Sequence, residues 1–518
     1  MMMDTNANSN SNTNPNSLEN DDTDEKPHSA LHIEDGNSND SARDSTGDNN
    51  PEAILSAEEF HKREAAVVFK LDCFIAPVMM LLMLISYLDR GNIGFAATQG
   101  LSEDIGLKGS ELNIAISLFY IFYILAEFPT SLLVKRLQYH RVIPFITACW
   151  GLVCLCTGFV QGFPSLVVTR LLLGFFEGCL FPSMTLFLCD WYKREELATR
   201  ISFLFVASAL SGAFGGLLAY AILYMNGTAG LHGWRWLYII EGLITLVWAG
   251  ICRFVVPKNF ETAYFLTKED KVVMRRRAEI MASYSGGKGH YKWRDVKMAA
   301  GDIKSWVHGT TDDMSGFGTF LPIILKDGFH YSTIQAQYLV IPVNLWGALI
   351  YAIGAVLSDR YKARFLSLIL AAPFGIAGYA ILVVNGRGGD VVVSPGVRYF
   401  ATYLIATACY LCTGTNIAWL SSNCAPDGKR AASVGILLSL TNIGGVVAGQ
   451  IYQTAAAPAF VLGHSWSLGC LAFAWCGWWV VLFIYKRRER EKDRDLLEGK
   501  SIPPEKWSDR APDFRYQF

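Results

Sequence analysis

Long apolar runs, separated by short polar links, dominate the chain from about residue 70 onward. A helix rises about 1.5 Å per residue and a bilayer's hydrocarbon core is about 30 Å thick, so a run of about twenty residues can span it. Eleven runs qualify, at 71–97, 112–134, 143–163, 166–188, 201–224, 235–256, 335–358, 365–385, 398–418, 433–456 and 464–485. The pattern predicts an all-α integral membrane protein.

A twelfth region, residues 306–325, departs from this pattern. The run SWVHGTTDDMSGFGTFLPIIL contains Asp312 and Asp313 and is not a span by hydropathy alone. One interpretation is a broken helix that its neighbours shield, as irregular backbone lining a cavity can be. The other is a locally wrong reading frame or gene model. We count twelve spans, with an atypical seventh, because the basic residues that follow require the usual orientation.

Lysine and arginine concentrate in alternate loops. They cluster at 62–70, 135–141, 193–200, 257–305, 360–364, 429–430 and 486–490, whereas the other loops contain little beyond Lys108, Arg235, Lys326 and Arg387. Basic loops stay in the cytoplasm, so both termini are expected there. We predict a disordered cytoplasmic tail at 1–66, a six-helix half at 67–256, a cytoplasmic loop at 257–305, a second six-helix half at 306–486 and a cytoplasmic tail at 487–518.

Composition narrows the class further. The chain is 52% hydrophobic with a formal net charge of −1, so no charge imbalance points to nucleic acid. Residues 1–55 are rich in Asn, Ser, Asp and Thr. We expect them to be unstructured, and we expect no cleavable signal peptide. Cys409 and Cys412 form a CxxC inside an apolar run, which favours packing over metal binding. We expect no metal, no cofactor and no enzymatic activity.

A short basic turn links the second and third spans of the second half. It reads GAVLSDRYKAR, and its counterpart in the first half is the weaker TSLLVKRLQYHR. With Gly354, Asp359, Arg360 and Arg364, the segment resembles the loop signature of the major facilitator superfamily. The resemblance implies two six-helix halves with a substrate site between them and assigns these four residues to a gate rather than to substrate contact.

Further segments carry a narrower resemblance. They are YLDRGNIG, RLLLGFFEGCLFPS, WYKREELATR and GWRWLYIIEG in the first half, and VRYFATYL, WLSSNCAPDGKRA, GGVVAGQIY and PDFRYQF in the second. Together they are similar to the anion:cation symporter family, to its fungal allantoate permease branch, and most of all to nicotinic acid permeases. The resemblance implies a plasma-membrane transporter of small organic anions.

Asp89 and Arg90 stand side by side in ISYLDRGNIGFA, near the end of the first span. A charge near the centre of a membrane helix costs about 2.5–3.5 kcal/mol on insertion scales, so such groups face a cavity or each other. One interpretation is a structural ion pair or snorkelling. The other is that Arg90 binds a substrate carboxylate, which its donor fork matches, while Asp89 takes part in proton coupling.

The fourth span supplies a possible partner. Arg170, Gly174 and Glu177 share one helical face, and Gly174 and Gly178 would admit a neighbouring helix closely. Glu177 is a candidate protonation site, and the family resemblance implies the same role for it and for Asp89. Arg170 could equally pair with Glu177 for structure alone.

Other polar residues are possible contacts. Tyr123 matches a family position facing the cavity, and Asn416 and Asn442 could form the wall of the second half. An interhelical hydrogen bond is the alternative role for each. Glu127 and Glu241 stand close to predicted span ends, which suggests solvated or structural roles. Asn226 begins a glycosylation sequon in a short loop predicted to be external.

These observations predict a secondary active transporter that carries a small organic anion, such as nicotinate or another carboxylate, together with protons by alternating access. Its partners would be the anion, protons and the lipid bilayer, and we expect a monomer in the plasma membrane. Two alternatives stay open: an exporter of a secondary metabolite and a non-transporting nutrient sensor with a permease fold.

Overall fold

The computed structural model describes residues 57–285, 293–312, 316–386, 393–453, 456–499 and 508–518. Within these ranges the chain is almost entirely helical and has no β-strand. The α-helices are α1 (Ala57–Phe74), α2 (Ala76–Thr98), α3 (Leu101–Asp104), α4 (Glu111–Leu137), α5 (Tyr139–Thr157), α6 (Phe163–Gly178), α7 (Leu180–Trp191), α8 (Arg194–Leu223), α9 (Gly233–Val255), α10 (Lys268–Ser285), α11 (Trp293–Ala300), α12 (Ile303–Thr310), α13 (Gly316–Ile323), α14 (Thr333–Tyr361), α15 (Arg364–Gly386), α16 (Pro395–Ser422), α17 (Asp427–Ile451) and α18 (Val461–Leu497).

Ten helical segments in the described ranges are long and apolar enough to cross a membrane. They correspond to predicted spans one, three to six and eight to twelve, and the fourth consists of α6 followed directly by α7. The second predicted span is α4, a helix of 27 residues. These helices confirm the predicted all-α membrane architecture.

The seventh predicted span is a broken helix. Its two pieces, α12 and α13, have eight residues each and flank residues 311–315, of which 313–315, including Asp313, lie outside the described ranges. Asp312 is buried and accepts a hydrogen bond from Thr441 at 3.1 Å. Between the two interpretations of this region, the structure favours the broken helix with neighbours that satisfy its polar groups.

The polar segments are more ordered than the sequence suggested. Residues 1–56 lie outside the described ranges, but α1 begins at Ala57, so the predicted unstructured tail to residue 66 is too long. The central segment contains α10, on which Arg277 is buried and forms ion pairs with Glu64 and Glu196, both at 2.6 Å. At the other end of the chain, α18 continues to Leu497.

Helices of the first half approach closely where glycine is present. A Cβ at Gly174 or Gly178 would collide with the backbone of α4 at Phe119 or Tyr123. Only glycine permits this separation between α4 and α6, as the two glycines predicted. The close packing brings the side chains of α4 to the level of Glu177 on α6.

The two halves meet at one end of the helical bundle, which we call the Thr98 end. The Thr98 carbonyl oxygen accepts hydrogen bonds from Lys326 Nζ at 2.8 Å and Thr333 Oγ1 at 3.3 Å, and Gln337 donates to the Thr98 hydroxyl at 2.7 Å. These bonds join α2 of the first half to the segment around α13 and α14 of the second.

A second set of bonds closes the same end between α4 and α17. Asn113 donates to the carbonyl oxygens of Gly449 and Tyr452 at 2.6 and 3.0 Å, and Ser117 donates to that of Val446 at 2.9 Å. A side chain at Gly449 would collide with Ser117. The interior of the bundle is therefore covered from the Thr98 end.

The opposite end carries an ion cluster formed by the second half and the segments that flank it. Asp302 accepts hydrogen bonds from Lys429 and Arg488 at 2.7 Å each, and Lys304 and Lys429 both pair with Asp509 near the end of the chain. All five side chains are buried or nearly so. The cluster ties α12, α17 and α18 to residues 508–518.

Candidate functional site

The centre of the site is an ion pair between α2 and α6. Arg90 donates to Glu177 Oε1 through Nε at 3.1 Å and Nη2 at 2.7 Å, and Ser86 donates to the same oxygen at 2.7 Å. Glu177 is fully buried, whereas 11% of the Arg90 side chain is exposed. Ser86 and Arg90 are four residues apart and so share one face of α2. A buried charge inside the membrane requires a partner of opposite charge. Arg90 and Glu177 are such partners for each other.

Four aromatic rings surround the guanidinium of Arg90. Its Cζ lies 4.6 Å from the ring centroids of Tyr87 and Tyr123, 5.6 Å from that of Phe119 and 5.9 Å from that of Tyr120. We call this arrangement the aromatic box. Rings at these distances attract a cation through their negative faces. Within the described residues Arg90 Nη1 makes no hydrogen bond. The aromatic box therefore contains a cation with a donor that is available to a further acceptor.

Asp89 faces a different set of helices from Arg90. It accepts hydrogen bonds from Trp150 Nε1 at 2.6 Å and Cys154 Sγ at 3.3 Å, both on α5, and its carboxyl is within hydrogen-bonding range of Glu241 on α9. Consecutive helix residues point about 100° apart, which separates Asp89 from Arg90. The structure therefore does not support an ion pair between these two neighbours.

Arg170 has a partner other than Glu177. Its Nη2 donates to the hydroxyl of Tyr238 on α9 at 2.5 Å, and its guanidinium lies over the same ring. The structural pairing of Arg170 with Glu177 that the sequence allowed is absent from the described contacts, because Glu177 bonds to Arg90 instead. Arg170 thus belongs to the Asp89 side of the half.

The aromatic box continues toward the second half along α4. Glu127, four residues after Tyr123, is buried, and its carboxyl is within hydrogen-bonding range of Asn442 on α17. Its Oε2 is buried without a hydrogen-bond partner in the described part of the chain. Glu127 and Glu241 were expected to be solvated or structural. Both are buried, so the solvated role is wrong, whereas the structural role is not contradicted.

A family model described as Major Facilitator Superfamily matches residues 79–449. The chain belongs to the Major Facilitator Superfamily. It is therefore a multi-pass membrane transporter, as the loop signature predicted.

Relatives in fungi cover most of the chain. An uncharacterized transporter of Schizosaccharomyces pombe is 39% identical over 88% of this chain and 90% of its own length. A high-affinity nicotinic acid transporter of Saccharomyces cerevisiae is 34% identical over 88% of this chain and 86% of its own length. The chain is similar to both.

Solved structures show the same fold. The xylose transporter XylE from E. coli, in a partially occluded inward-open conformation, has a TM-score of 0.62 at 12% sequence identity. The match covers 79% of this chain and 97% of XylE. At this identity the likeness concerns the fold alone, which is the predicted major facilitator fold.

The remaining predicted binding residues lie in two different settings. Asn442 joins Glu127 across the halves of this facilitator, close to the aromatic box. Asn416 lies inside the second half, where its Oδ1 is 2.6 Å from His308 Nδ1 and its Nδ2 donates to the His308 carbonyl oxygen at 3.0 Å. The hydrogen bonds of Asn416 fix α12 against α16, so its geometry matches the interhelical alternative rather than substrate contact.

The loop signature of the facilitator family lies at the end opposite Thr98. Gly354 permits close packing of α14 on α16, because a Cβ there would collide with Leu411. Arg364 donates to the Ala418 carbonyl oxygen at 2.5 Å, and Arg360 is exposed. The side chain of Asp359 lies outside the described residues. The gate role of this loop stays a prediction.

The Asn226 sequon lies in the loop between α8 and α9 of the transporter. The side chain is exposed, and its Oδ1 accepts a hydrogen bond from the Gly233 amide at 3.0 Å. Its Nδ2, the atom that a glycan would modify, has no hydrogen-bond partner within the described residues. Glycosylation stays a prediction.

Sequence reasoning missed four residues that shape the site: Ser86, Tyr87, Phe119 and Tyr120. It named Glu127 and Glu241 without assigning them to the site. Helical spacing from Arg90 could have identified some of the four from the sequence. Ser86 precedes Arg90 by one helical turn, which puts both on one face. No comparable signal marks Glu241, because its partner Asp89 is on another helix.

Proposed function

We propose that this facilitator is a proton-coupled symporter that imports a small organic anion, nicotinate or another monocarboxylate. The observation that supports the proposal is the Arg90–Glu177 pair inside the aromatic box, with Arg90 Nη1 unoccupied by any described residue. The relative named as a high-affinity nicotinic acid transporter is consistent with this substrate class.

The box suits an aromatic carboxylate on two counts. Arginine binds a carboxylate through two parallel donors, which fixes its orientation as well as its charge. A flat ring attached to that carboxylate would pack against Tyr87 and Tyr123, which flank the guanidinium at 4.6 Å. Tyr123 also offers a hydroxyl that no described residue binds. Substrate binding is therefore assigned to Arg90 and Tyr123, with Asn442 on the opposite wall.

Competition for Arg90 provides the coupling. While Glu177 is ionised, it occupies two of the donors of Arg90 and repels a second anion. A proton on Glu177 removes that charge, so Arg90 becomes available to the substrate carboxylate. At the Arg90–Glu177 site, one proton and one anion then enter together without adding net charge to a buried site. The proton-coupling role of Asp89 is developed below.

Orientation follows from the basic loops. The positive-inside rule puts the Thr98 end outside and both termini and the central segment in the cytoplasm. With that orientation, the bonds of Thr98 and Asn113 close the external side of the site. The first half would comprise residues 67–256 and the second 306–486, acting as a monomer in the plasma membrane.

Uptake of labelled nicotinate into yeast lacking its own nicotinic acid permease tests the proposal. We expect uptake that is faster at acidic than at neutral pH and that collapses with a protonophore, after surface expression has been verified. Normal surface expression without uptake would contradict nicotinate as the substrate. Saturable binding without flux would support the sensor instead, and efflux driven by the proton gradient would support the exporter.

A further inference from the structure

A second pair of carboxyl groups lies beside the Arg90–Glu177 pair. Asp89 on α2 and Glu241 on α9 are within hydrogen-bonding range of each other, and both are buried, with exposures of 0% and 2%. One amide nitrogen joins the two groups, because Asn92 Nδ2 donates to Asp89 Oδ1 at 3.4 Å and also to Glu241 Oε2. Glu241 Oε1 is buried without a hydrogen-bond donor in the described part of the chain. The side chains therefore meet inside the first half, away from the aromatic box.

Two carboxyl groups in contact require a proton between them. Two carboxylates have only acceptor oxygens, so a hydrogen bond from one to the other exists only when one carries a proton. Like charges at such a short separation also favour uptake of one proton by the pair. The contact between Asp89 and Glu241 is thus that of a pair sharing a single proton.

Other polar and charged groups around Asp89 and Glu241 come from the neighbouring helices α5, α6 and α9. From α5, Trp150 and Cys154 donate to Asp89, and from α9, the Tyr238 hydroxyl accepts from Arg170 of α6. The charge of Glu177 on α6 is close enough to Asp89 to repel it, but the hydrogen bonds of Glu177 are to Arg90 and Ser86 on α2.

Charge balance also requires protons on the buried acids. Among the described residues, the buried core of the first half contains four acids, Asp89, Glu127, Glu177 and Glu241, and two cations, Arg90 and Arg170. Two ionised acids neutralise the two arginines. Each further ionised acid would leave an uncompensated charge in a low-dielectric interior, which is costly. One proton on Glu127 and one on the Asp89–Glu241 pair make the set neutral.

We propose that Asp89 and Glu241 together form a second proton-binding site that takes up and releases one proton in each transport cycle. On release, the O–H bond of one carboxyl breaks and the proton passes to water on the open side; on uptake, the reverse occurs. Glu241 therefore acts with Asp89 as a coupling residue and does not touch the substrate. This inference rests on the proposed symport, and the ligand of the pair is the proton alone.

Infrared spectroscopy of the purified transporter tests the shared proton without any substrate. We expect a protonated-carboxyl carbonyl band in the wild type that shifts in D₂O and decreases in both Asp89→Asn and Glu241→Gln. Each substitution replaces one acid by a neutral amide, so the remaining acid ionises to balance Arg170. Glu103→Gln, which removes an exposed carboxylate of α3, is the matched control and leaves the band unchanged.

Titration of the wild-type band separates an exchanging proton from a fixed one and needs no variant. A proton that takes part in transport gives a band whose intensity changes over the pH range in which uptake changes. A band that stays constant over that range would show a permanent structural proton and overturn the proposal. So would a band that survives undiminished in Asp89→Asn or Glu241→Gln.

Transport by Glu241→Gln gives the functional readout. We expect exchange of labelled for unlabelled nicotinate across the membrane to be retained, whereas accumulation driven by a pH gradient falls to the level seen with a protonophore. Wild-type accumulation with the wild-type pH profile, or loss of exchange in a variant at the cell surface, would contradict a coupling role. If the wild type itself does not transport nicotinate, the substrate assignment fails, while the infrared titration still decides the proton site.

Discussion

Arg90 directs two of its donors, Nε and Nη2, to a single oxygen of Glu177, at 3.1 and 2.7 Å. The other carboxylate oxygen, Oε2, is buried without a partner among the described residues. In the stronger bidentate geometry, two parallel donors each bind a different carboxylate oxygen. Here both donors bind the same oxygen, so the other oxygen accepts no hydrogen bond from Arg90. A substrate carboxylate that takes up both oxygens can therefore displace Glu177 once a proton has removed its charge.

Substitution of Arg90 by lysine should impair substrate binding although the positive charge remains. An ammonium group is a point charge that cannot present a planar fork, so at least one charge-assisted hydrogen bond is lost. Such a bond contributes about 1.5–3 kcal/mol, which corresponds to about a 10- to 150-fold higher KM for uptake. Arg253→Lys, on the exposed end of α9, is the control and should behave as the wild type. An unchanged KM in Arg90→Lys would refute the assignment of Arg90.

Substitution of Glu177 by glutamine should separate binding from coupling. The amide oxygen can still accept from Arg90 and Ser86, but it has no charge to be titrated. We expect nicotinate exchange to persist, while the dependence of uptake on external pH is lost. Measurement of initial rates across a pH series, with and without a protonophore, checks this result. Full proton-driven accumulation by the variant would rule out Glu177 as the competing acid.

Two substitutions at Tyr123 distinguish its ring from its hydroxyl. Tyr123→Phe keeps the ring that lies 4.6 Å from the guanidinium, whereas Tyr123→Ala removes it. A cation–π contact contributes about 0.5–2 kcal/mol, so the alanine variant should bind about 2- to 30-fold more weakly. If the hydroxyl also binds the substrate carboxylate, the phenylalanine variant shows a smaller loss. Equal, wild-type affinities for both variants would exclude Tyr123 from the site.

Closure of the Thr98 end depends on glycine in α17. In Gly449→Leu the new side chain would collide with Ser117, so the two halves cannot close there. We expect uptake to be lost and a cysteine introduced at position 117 of a cysteine-depleted variant to react faster with an impermeant thiol reagent. Gly469→Leu on α18 is the matched control, because its Cβ would point into open space. Normal uptake by Gly449→Leu would contradict the closure inferred from the structure.

The ion cluster outside the membrane should make stability depend on acidic pH. Burial of Asp302 opposes its ionisation, but the Arg488 hydrogen bond and the charges of Lys304 and Lys429 outweigh it and hold its pKa well below the usual range. Because the folded pKa is the lower one, the stabilisation is complete above the unfolded value of about 3.9 and is lost as the pH falls through the folded value.

Thermal unfolding in detergent checks this behaviour. Asp302→Asn leaves buried cations short of a partner and should cost about 3–5 kcal/mol at neutral pH. Its stability should then fall less than that of the wild type below about pH 4. The control is Asp493→Asn, which removes an exposed carboxylate of α18 that pairs with Arg515. Identical acid profiles for the wild type and Asp302→Asn would contradict the role of the cluster.

Apolar run lengths were enough to predict the helices, because a span is a local property of about twenty residues. They also showed that Asp89, Arg90 and Glu177 lie inside spans, where a charged side chain is costly unless it is paired or faces a cavity. The broken seventh span was ambiguous for the same reason, since the acids at 312 and 313 violate the local rule. Its resolution required Thr441 of α17, which is remote in sequence but in contact.

The sequence by itself determined the membrane class, eleven of the predicted spans and the charges that the membrane must accommodate, because each follows from hydrophobicity along one helix. Only the tertiary structure decided which charges meet. Asp89 and Arg90 are neighbours in the chain, but the helical turn of about 100° per residue directs them to Glu241 on α9 and Glu177 on α6. Those partners depend on how separate helices pack, which no local pattern records.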